Sequence, residues 1–426
     1  MKQLKHRKKM LSLKLYNLFV YIALPFAYLR LLWRSRLAPA YRKRLAERFA
    51  HYKNDYQTNG IVLHAVSVGE ANAAVPVIKH LLNKGELLTV TTTTPTGSAR
   101  VQALFANQIQ HVYLPYDHPM AMNRFLDKFK PKQFIVMETE WWPNLFSGLK
   151  QRKVPLFIAN ARLSEKSMRG YLRFRKMSKM MADCITHLAA QTKEDAQRFA
   201  KLGVAQDKIT VTGNIKFDML HDQGMAQRSK ELKQTFLSRP VWIAASTHAG
   251  EEQAIIDAVH IIKKKIPNTL TIVVPRHPER FQAFYQKCQK EKLNIARRSK
   301  NETVNAETDI YLGDTMGELM LLYATGDVAF VAGSLANIGG HNVLEPAALG
   351  LPIITGPHVF NFADIVKQLG RAGGLIIVDD ALALAEQVIS WLRDPTHAKL
   401  AGQHAQQVLT ENRGAITRLL ALLAEQ

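Results

Sequence analysis

The chain has 426 residues and a mass of 48.0 kDa; 47% of the residues are hydrophobic and 22% charged, enough apolar material for two large α/β domains, which excludes disorder, collagen or coiled coil as the main architecture. Two cysteines, Cys184 and Cys288, make neither a disulfide framework nor a zinc site by themselves, and point to a reducing compartment. The net charge is +22, and +13 of it lies in residues 1–53, where Glu47 is the only acid; a nucleic-acid binder spreads its charge over a folded reading surface, so no nucleic acid is expected as a partner.

Residues 15–29 are uncharged, and Leu31, Leu32 and Trp33 extend the apolar run past Arg30. A spanning helix needs about 20 apolar residues, so a membrane-crossing helix and one lying in the interface both fit, with Pro25 as a site for a kink. A soluble helix packed on the body is the third reading. Basic clusters flank the run, Lys2, Lys5, Arg7, Lys8 and Lys9 before it and Arg34, Arg36, Arg42, Lys43 and Arg44 after it. Such clusters bind anionic lipid headgroups and keep the downstream domains on the cytoplasmic face. Ala38-Pro39-Ala40 has the form of a leader cleavage site, but the arginines around it argue against cleavage. Residues 1–53 are therefore expected to be a basic, hydrophobic membrane anchor.

From residue 60 short apolar runs alternate with helical stretches. Strands are predicted at 61–66, 87–92, 110–114, 133–137, 155–159, 185–190 and 209–211, with helices between them, including 69–82 and 121–129. The polar stretch 219–239 reads as a linker. A second series of strands follows at 241–245, 269–274, 309–312, 327–331, 352–355 and 375–378. The pattern predicts two doubly wound, Rossmann-like parallel-sheet domains, residues 54–218 and 240–426, facing a cleft, with ligands at the carboxyl ends of the strands. The last helix, 416–425, is expected to pack back on the first domain.

The strand ends carry the chemistry. His64-Ala65-Val66-Ser67-Val68-Gly69-Glu70 ends the first strand and opens a helix on Glu70. A glutamate there either stabilises the helix or, facing a cleft, serves as a general base. Thr91 to Thr94 lead into another helix, where capping competes with ligand binding. Met137-Glu138-Thr139-Glu140-Trp141-Trp142-Pro143-Asn144 sets two acids beside two tryptophans, whose faces suit sugars or lipid interfaces. Asn160-Ala161-Arg162 follows the fifth strand, and Lys216, in Gly213-Asn214-Ile215-Lys216-Phe217-Asp218, is placed to stabilise charge. In the second domain Ser246 or Thr247 is a candidate cap that leaves N–H groups for a phosphate, and Arg276 after Pro275 a candidate phosphate ligand. Met316-Gly317-Glu318 and the glycine-rich Gly339-Gly340-His341-Asn342-Val343-Leu344-Glu345 complete the set. Asp379-Asp380 reads as a helix cap. No GxxxxGK[ST], GxGxxG or GxSxG motif occurs, and His and Asp residues lack metal-ligand spacing, so no metal or other cofactor is expected.

These segments, HAVSVGE, TPTGS, METEWWPN, IANARLS, GNIKFD, ASTHAGEE, VPRHPER, GDTMGEL, GGHNVLEPAA and GPHVFNF, run in order over nearly the whole body. Together with LAPAYRKRLAER near the N-terminus, they resemble the 3-deoxy-D-manno-octulosonic acid (Kdo) transferases of lipid A biosynthesis. The resemblance implies a GT-B glycosyltransferase fold, a CMP-Kdo donor on the C-terminal domain, and the tetraacylated lipid A precursor as acceptor at the inner membrane. It implies inversion at the anomeric centre without a metal. Carried onto this sequence, it makes Glu70 the general base and Glu138 and Lys216 the transition-state stabilisers. It places Pro275, Arg276, Met316, Gly317, Glu318, Asn342, Val343, Leu344 and Glu345 around the donor. A base at a helix N-terminus has a low pKa unless desolvation raises it, so desolvation of Glu70 is expected. Two departures stand out: residues 1–13 are an extra basic stretch, and Trp142 follows Trp141 directly, so that Trp141 is expected to bear on acceptor contact. Two other readings are a UDP-sugar epimerase or other nucleotide-sugar transferase, and a non-enzymatic basic protein.

Overall fold

The computed structural model describes residues 2–37, 39–218 and 225–424. The chain divides into two compact units, residues 1–219 with 413–426, and residues 220–412. In the first, the strands β1 (Ile61–His64), β2 (Leu88–Thr92), β3 (Gln110–Tyr113), β4 (Gln133–Met137), β5 (Leu156–Ala161), β6 (His187–Ala190) and β7 (Ile209–Val211) form a seven-stranded sheet in the order β3-β2-β1-β4-β5-β6-β7. In the second, β8 (Val241–Thr247), β9 (Leu270–Pro275), β10 (Ile295–Arg297), β11 (Ile310–Leu312), β12 (Val328–Val331), β13 (Ile353–Thr355) and β14 (Leu375–Ile377) form another in the order β10-β11-β9-β8-β12-β13-β14. The central strand β1 pairs in parallel with β2 and β4, and β8 in parallel with β9 and β12.

Helices cover both faces of each sheet, so central strands read as unbroken apolar runs, such as Val328-Ala329-Phe330-Val331, buried at every position. Each unit accordingly has a core on either side of its sheet. The strand absent from the sequence prediction is β10. It is three residues long, ends on Arg297 and pairs only with β11, so an edge position leaves it no apolar signature.

The assignment of 219–239 as a linker is corrected in part. Residues 219–224 lie outside the described residues, but Met225–Gln234 is a helix that buries Ser229 and Leu232 on the second unit. The helix Ala415–Ala424 packs on the first unit, where Ala415 and Leu419 join the core beside Ala71 and Ala74. Asp218 holds it by accepting from the backbone N–H groups of Gly414 and Ile416, both at 2.7 Å.

The N-terminal helix runs from Lys2 to Leu37 through Pro25, and Ser12–Trp33 is long and apolar enough to cross a membrane. Leu18, Phe19, Ile22, Phe26, Leu29 and Trp33 are all exposed. The same helix also meets the body: Tyr21 lies edge-on to His118 and Tyr28 to Phe49, and Leu31 is buried. Part of residues 1–53 belongs to the folded body. Arg44 forks onto Glu47 at 2.7 and 2.8 Å and reaches the His111 carbonyl, while the buried Arg48 donates to Thr93 O at 2.9 Å. Both guanidinium groups lie over the Tyr113 ring. These two cations are committed to the body, because a planar fork over an aromatic face is satisfied without a lipid headgroup.

Candidate active site

In an open parallel sheet the loops part where the strand order reverses, and the crevice there accepts ligands. In the first unit that point lies between β1 and β4. The loop after β1 delivers Glu70 on the first turn of the helix Val68–Asn83. Ser67 caps this helix, accepting from Glu70 N at 3.4 Å, and its hydroxyl donates to Glu70 Oε1 at 3.2 Å, while Val66 N donates to Oε2 at 2.8 Å. The arrangement is a variant of the capping box, in which serine and glutamate satisfy free donors of the first turn reciprocally. The carboxyl is nevertheless raised from its ordinary value to about 7, foremost by burial; the Val66 N–H opposes this, the nearby Glu138 and Glu140 add to it, and Ser67 opposes it. Burial thus outweighs the helix N-terminus.

Ser67→Ala removes the cap and one hydrogen bond to the carboxylate. It is expected to cost about 1 kcal/mol in urea unfolding, and to move the titration of Glu70 upward in a pH–rate profile, since the lost bond favours the ionised form.

Across the switch point β4 is followed by Glu138, whose φ of 57° is left-handed, a conformation that costs a non-glycine residue of order 1–3 kcal/mol. Its carboxylate pairs with Lys216 Nζ at 3.0 Å. Lys216 stands in the tight turn Ile215–Asp218, entered through Gly213 at φ 92°. That turn is braced by Asn160, fully buried at the end of β5 and also left-handed at φ 54°, whose Oδ1 accepts from Ile215 N at 3.2 Å. Asn160 and Glu140 are functional candidates to which sequence reasoning gave no role. The signal for Asn160 was an asparagine at a strand end, the residue type that tolerates left-handed backbone best after glycine.

Glu140 accepts from Trp142 Nε1 at 2.8 Å, and its carboxyl is raised by burial, with Glu138 adding to the shift. The Trp142 ring stands edge-on to His64, which burial holds down at about 4 and therefore neutral. Glu70, Glu138, Glu140 and Lys216 are thus brought into one electrostatic cluster. One expectation is corrected, and one choice left open is decided at Thr94. Trp141 is a core residue, packed among Phe146, Tyr171 and Phe199, and does not present its face for acceptor contact. Among the threonines, Thr94 is engaged as a cap, accepting from Gly97 N at 3.1 Å and donating to Val66 O.

In the second unit the order reverses between β8 and β12. Here Ser246 and Thr247 do not cap a helix: Thr247 is inside β8, and Ser246 is left-handed at φ 60°, where the register with β9 shifts. The loop's work is done by Glu251, a buried carboxylate that accepts from the backbone N–H groups of His248, Gly333, Ser334 and Leu335 and so ties the β8 loop to the β12 loop. Pro275 ends β9, and Arg276 follows it, exposed, with its backbone N–H on Thr247 O at 3.0 Å. Glu345 lies close enough to Arg276 for their charges to interact; burial raises the Glu345 carboxyl, and Asn342, which donates to it at 3.2 Å, and Arg276 lower it.

The remaining donor-site candidates divide by exposure. Met316 and Gly317 lie on an exposed turn after β11, with Gly317 at φ 83°. Glu318 is held by Arg298 at 2.9 Å and by the Thr315 hydroxyl, so its carboxylate is already paired and held below its ordinary value, first of all by Arg298. Val343 and Leu344 are buried core side chains, which corrects any side-chain role in ligand contact and leaves them their backbone only. Asp380 does cap its helix, accepting from Ala383 N at 2.8 Å. Among the described residues, no three His, Cys, Asp or Glu side chains come together as a metal site. A groove lined by Lys230, Arg239, Asp327 and Trp391 opens at the amino ends of the second sheet's strands, away from all these residues.

Residues 43–219 match the family described as 3-deoxy-D-manno-octulosonic-acid transferase (kdotransferase), and residues 250–408 match glycosyl transferases group 1. The chain is 44% identical to the 3-deoxy-D-manno-octulosonic acid transferase of Haemophilus influenzae, over 91% of this chain and 92% of that one. It is 35% identical to that of Bordetella pertussis, over 85% and 86%. In fold it resembles the UDP-GlcNAc 2-epimerase of Neisseria meningitidis (TM-score 0.56, 14% identity, covering 87% of this chain and 100% of that one), which shows the two-domain architecture alone. With sequence identity of this extent over nearly the full length, the chain belongs to the 3-deoxy-D-manno-octulosonic acid transferase family, glycosyltransferases of the GT-B fold.

Proposed function

We propose that this Kdo transferase takes Kdo from CMP-Kdo and transfers it to the tetraacylated disaccharide precursor of lipid A, with inversion, at the cytoplasmic face of the inner membrane. One observation carries the reading: a carboxyl raised to about 7 at the first switch point, beside the Glu138–Lys216 ion pair. A base with that pKa takes a proton near neutrality and is still a usable acid once the proton is on it. The acceptor hydroxyl gives its proton to Glu70 as its oxygen attacks the anomeric carbon. The bond from that carbon to the phosphate oxygen breaks on the opposite face, its electron pair leaving with CMP, so configuration inverts. The sugar passes through oxocarbenium character, which the Glu138 carboxylate favours while Lys216 balances that charge when the site is otherwise empty. Arg276, exposed just after β9, suits the phosphate, and Glu345 on the neighbouring helix suits the ribose hydroxyls.

The test is incubation of purified protein with the lipid A precursor and CMP-Kdo generated in situ, read by mass spectrometry. A mass gain of one or more Kdo units is expected, and its size counts the sugars added. Folded protein that transfers N-acetylglucosamine from its UDP donor and not Kdo overturns the reading.

Membrane attachment rests on the exposed apolar side chains of the N-terminal helix and the basic residues before them. Replacing Leu18, Ile22 and Phe26 together by Gln is expected to release the protein from vesicles containing anionic lipid in a flotation assay. Transfer to detergent-dispersed acceptor is expected to persist. Undiminished flotation of the triple variant argues for a different attachment surface.

A further inference from the structure

Three histidines gather at the second switch point, and none has a role in the mechanism above. His248 follows β8, His277 follows β9 and His341 lies in the glycine-rich loop after β12. His248 Nε2 and His341 Nε2 are 2.8 Å apart, with their rings parallel to within 1°. His277 stands edge-on to His248 at 5.3 Å between centroids. The pairing has a backbone requirement. Gly333 is left-handed at φ 72°, and a Cβ there would lie 2.6 Å from His341 Cδ2, so only glycine leaves room for the ring. Glu251 then fixes the spacing of the two loops by accepting from His248 N and Gly333 N.

The hydrogen-bond inventory of such a pair is constrained. Two nitrogens at this distance share one proton. In the neutral pair one imidazole therefore donates through Nε2 and keeps a lone pair on Nδ1, while the other accepts through Nε2 and carries its proton on Nδ1. The pair so presents one donor and one acceptor outward, and neither Nδ1 has a protein partner among the described residues. An anionic oxygen is repelled by the outward lone pair. One added proton converts the pair into a cation with two outward N–H donors.

We propose that His248 and His341 act as one paired-imidazole receptor for the phosphate of the nucleotide, taking up a single proton as the anion binds. This rests on the reading of the donor as a CMP-sugar. The charged and titratable groups facing the pair come from every neighbouring loop: Arg276 and His277 after β9, Glu251 and Glu252 after β8, and Glu345, whose charge reaches Arg276. In the free protein burial, with Arg276 and the other imidazoles, holds His341 at about 4 and lowers His248, so the pair starts neutral at pH 7. A bound phosphate offsets the Arg276 charge and favours the protonated pair. His248 and His341 are thus positioning residues for the leaving group: the proton they take up stays hydrogen-bonded to the phosphate oxygens as the sugar–phosphate bond breaks and their charge grows.

The experiment is titration calorimetry of the full-length protein with CMP at pH 8, in buffers of differing ionisation enthalpy, with cytidine as the probe lacking phosphate. Close to one proton taken up per CMP is expected, and none with cytidine. His248→Gln and His341→Gln each abolish the uptake and weaken CMP by roughly tenfold to a hundredfold, as expected of a charge-assisted hydrogen bond. The phosphorus resonance of bound CMP is expected to stay that of the dianion, which places the proton on protein. Proton uptake unchanged in both variants, absent in the wild type, or located on the phosphate overturns the proposal. Failure of the wild type to bind CMP at all defeats the CMP-sugar reading instead. Circular dichroism and cytidine affinity of the variants separate a lost receptor from a lost fold.

Discussion

Glu70→Gln is expected to lower kcat by roughly 10²–10⁴-fold, the usual contribution of a positioned general base, and to abolish the ascending limb of the pH profile. The wild-type limb in kcat/KM is expected near pH 7, because burial raises the carboxyl to about 7. The sign comes from the role. Below that pH the carboxyl is protonated and cannot take the acceptor's proton, and above it the carboxylate is competent, so activity rises with pH through this value. The substituted side chain keeps an amide oxygen that can accept from Val66 N, and its amide N–H can donate to the Ser67 hydroxyl oxygen, so thermal unfolding should change little. Wild-type kcat in the Glu70→Gln variant, or a wild-type profile flat between about pH 5 and 9, removes Glu70 from the role of base.

The second large effect concerns the Glu138–Lys216 pair. Lys216→Met is expected to cost roughly 10²–10³-fold in kcat, the scale of losing one group from a preorganised electrostatic site. It also leaves the Glu138 charge uncompensated in a largely buried position. That charge already pushes Glu70 upward, so the ascending limb moves to higher pH in Lys216→Met. In Glu138→Gln the push is removed and the limb moves to lower pH, even as kcat falls through loss of the anion beside the sugar cation. The double variant should restore part of the limb's position without restoring rate. Opposite displacement of the limbs in the two single variants shows that the pair's charges act on Glu70, and the fall in plateau kcat with unchanged folding separates a catalytic pair from a structural one. The pair is about three-quarters buried on each side, so its removal also costs more than a surface ion pair would.

Much of this was legible in the chain itself. Apolar runs buried on both faces announced the parallel strands, and turn-like segments such as Val66–Glu70 and Gly333–Glu345 marked the carboxyl ends where ligands bind. The bias of positive charge to residues 1–53 and the uncharged run after Lys14 announced the N-terminal helix. The family followed from ordered motifs. All of these are local properties: a run, a period or a spacing is complete within a few turns of chain.

The tertiary structure decided what depends on residues far apart in sequence. Nothing local distinguishes Trp141, which enters the core, from Trp142, which faces Glu140. Nor does anything local reveal that Val343 and Leu344 point inward, that β10 completes an edge, or that Met225–Gln234 is helical. The ion pair of Glu138 with Lys216 and the imidazole pair of His248 with His341 each join loops that come after different strands. Parallel crossovers bring those strand ends together, and left-handed backbone at Glu138, Asn160, Ser246 and Gly333 shapes the loops there. Sequence thus determined which strand ends carry polar groups, while the order of strands in the sheet decided which of those groups meet, because strand order alone sets the distance between loops that the chain keeps apart.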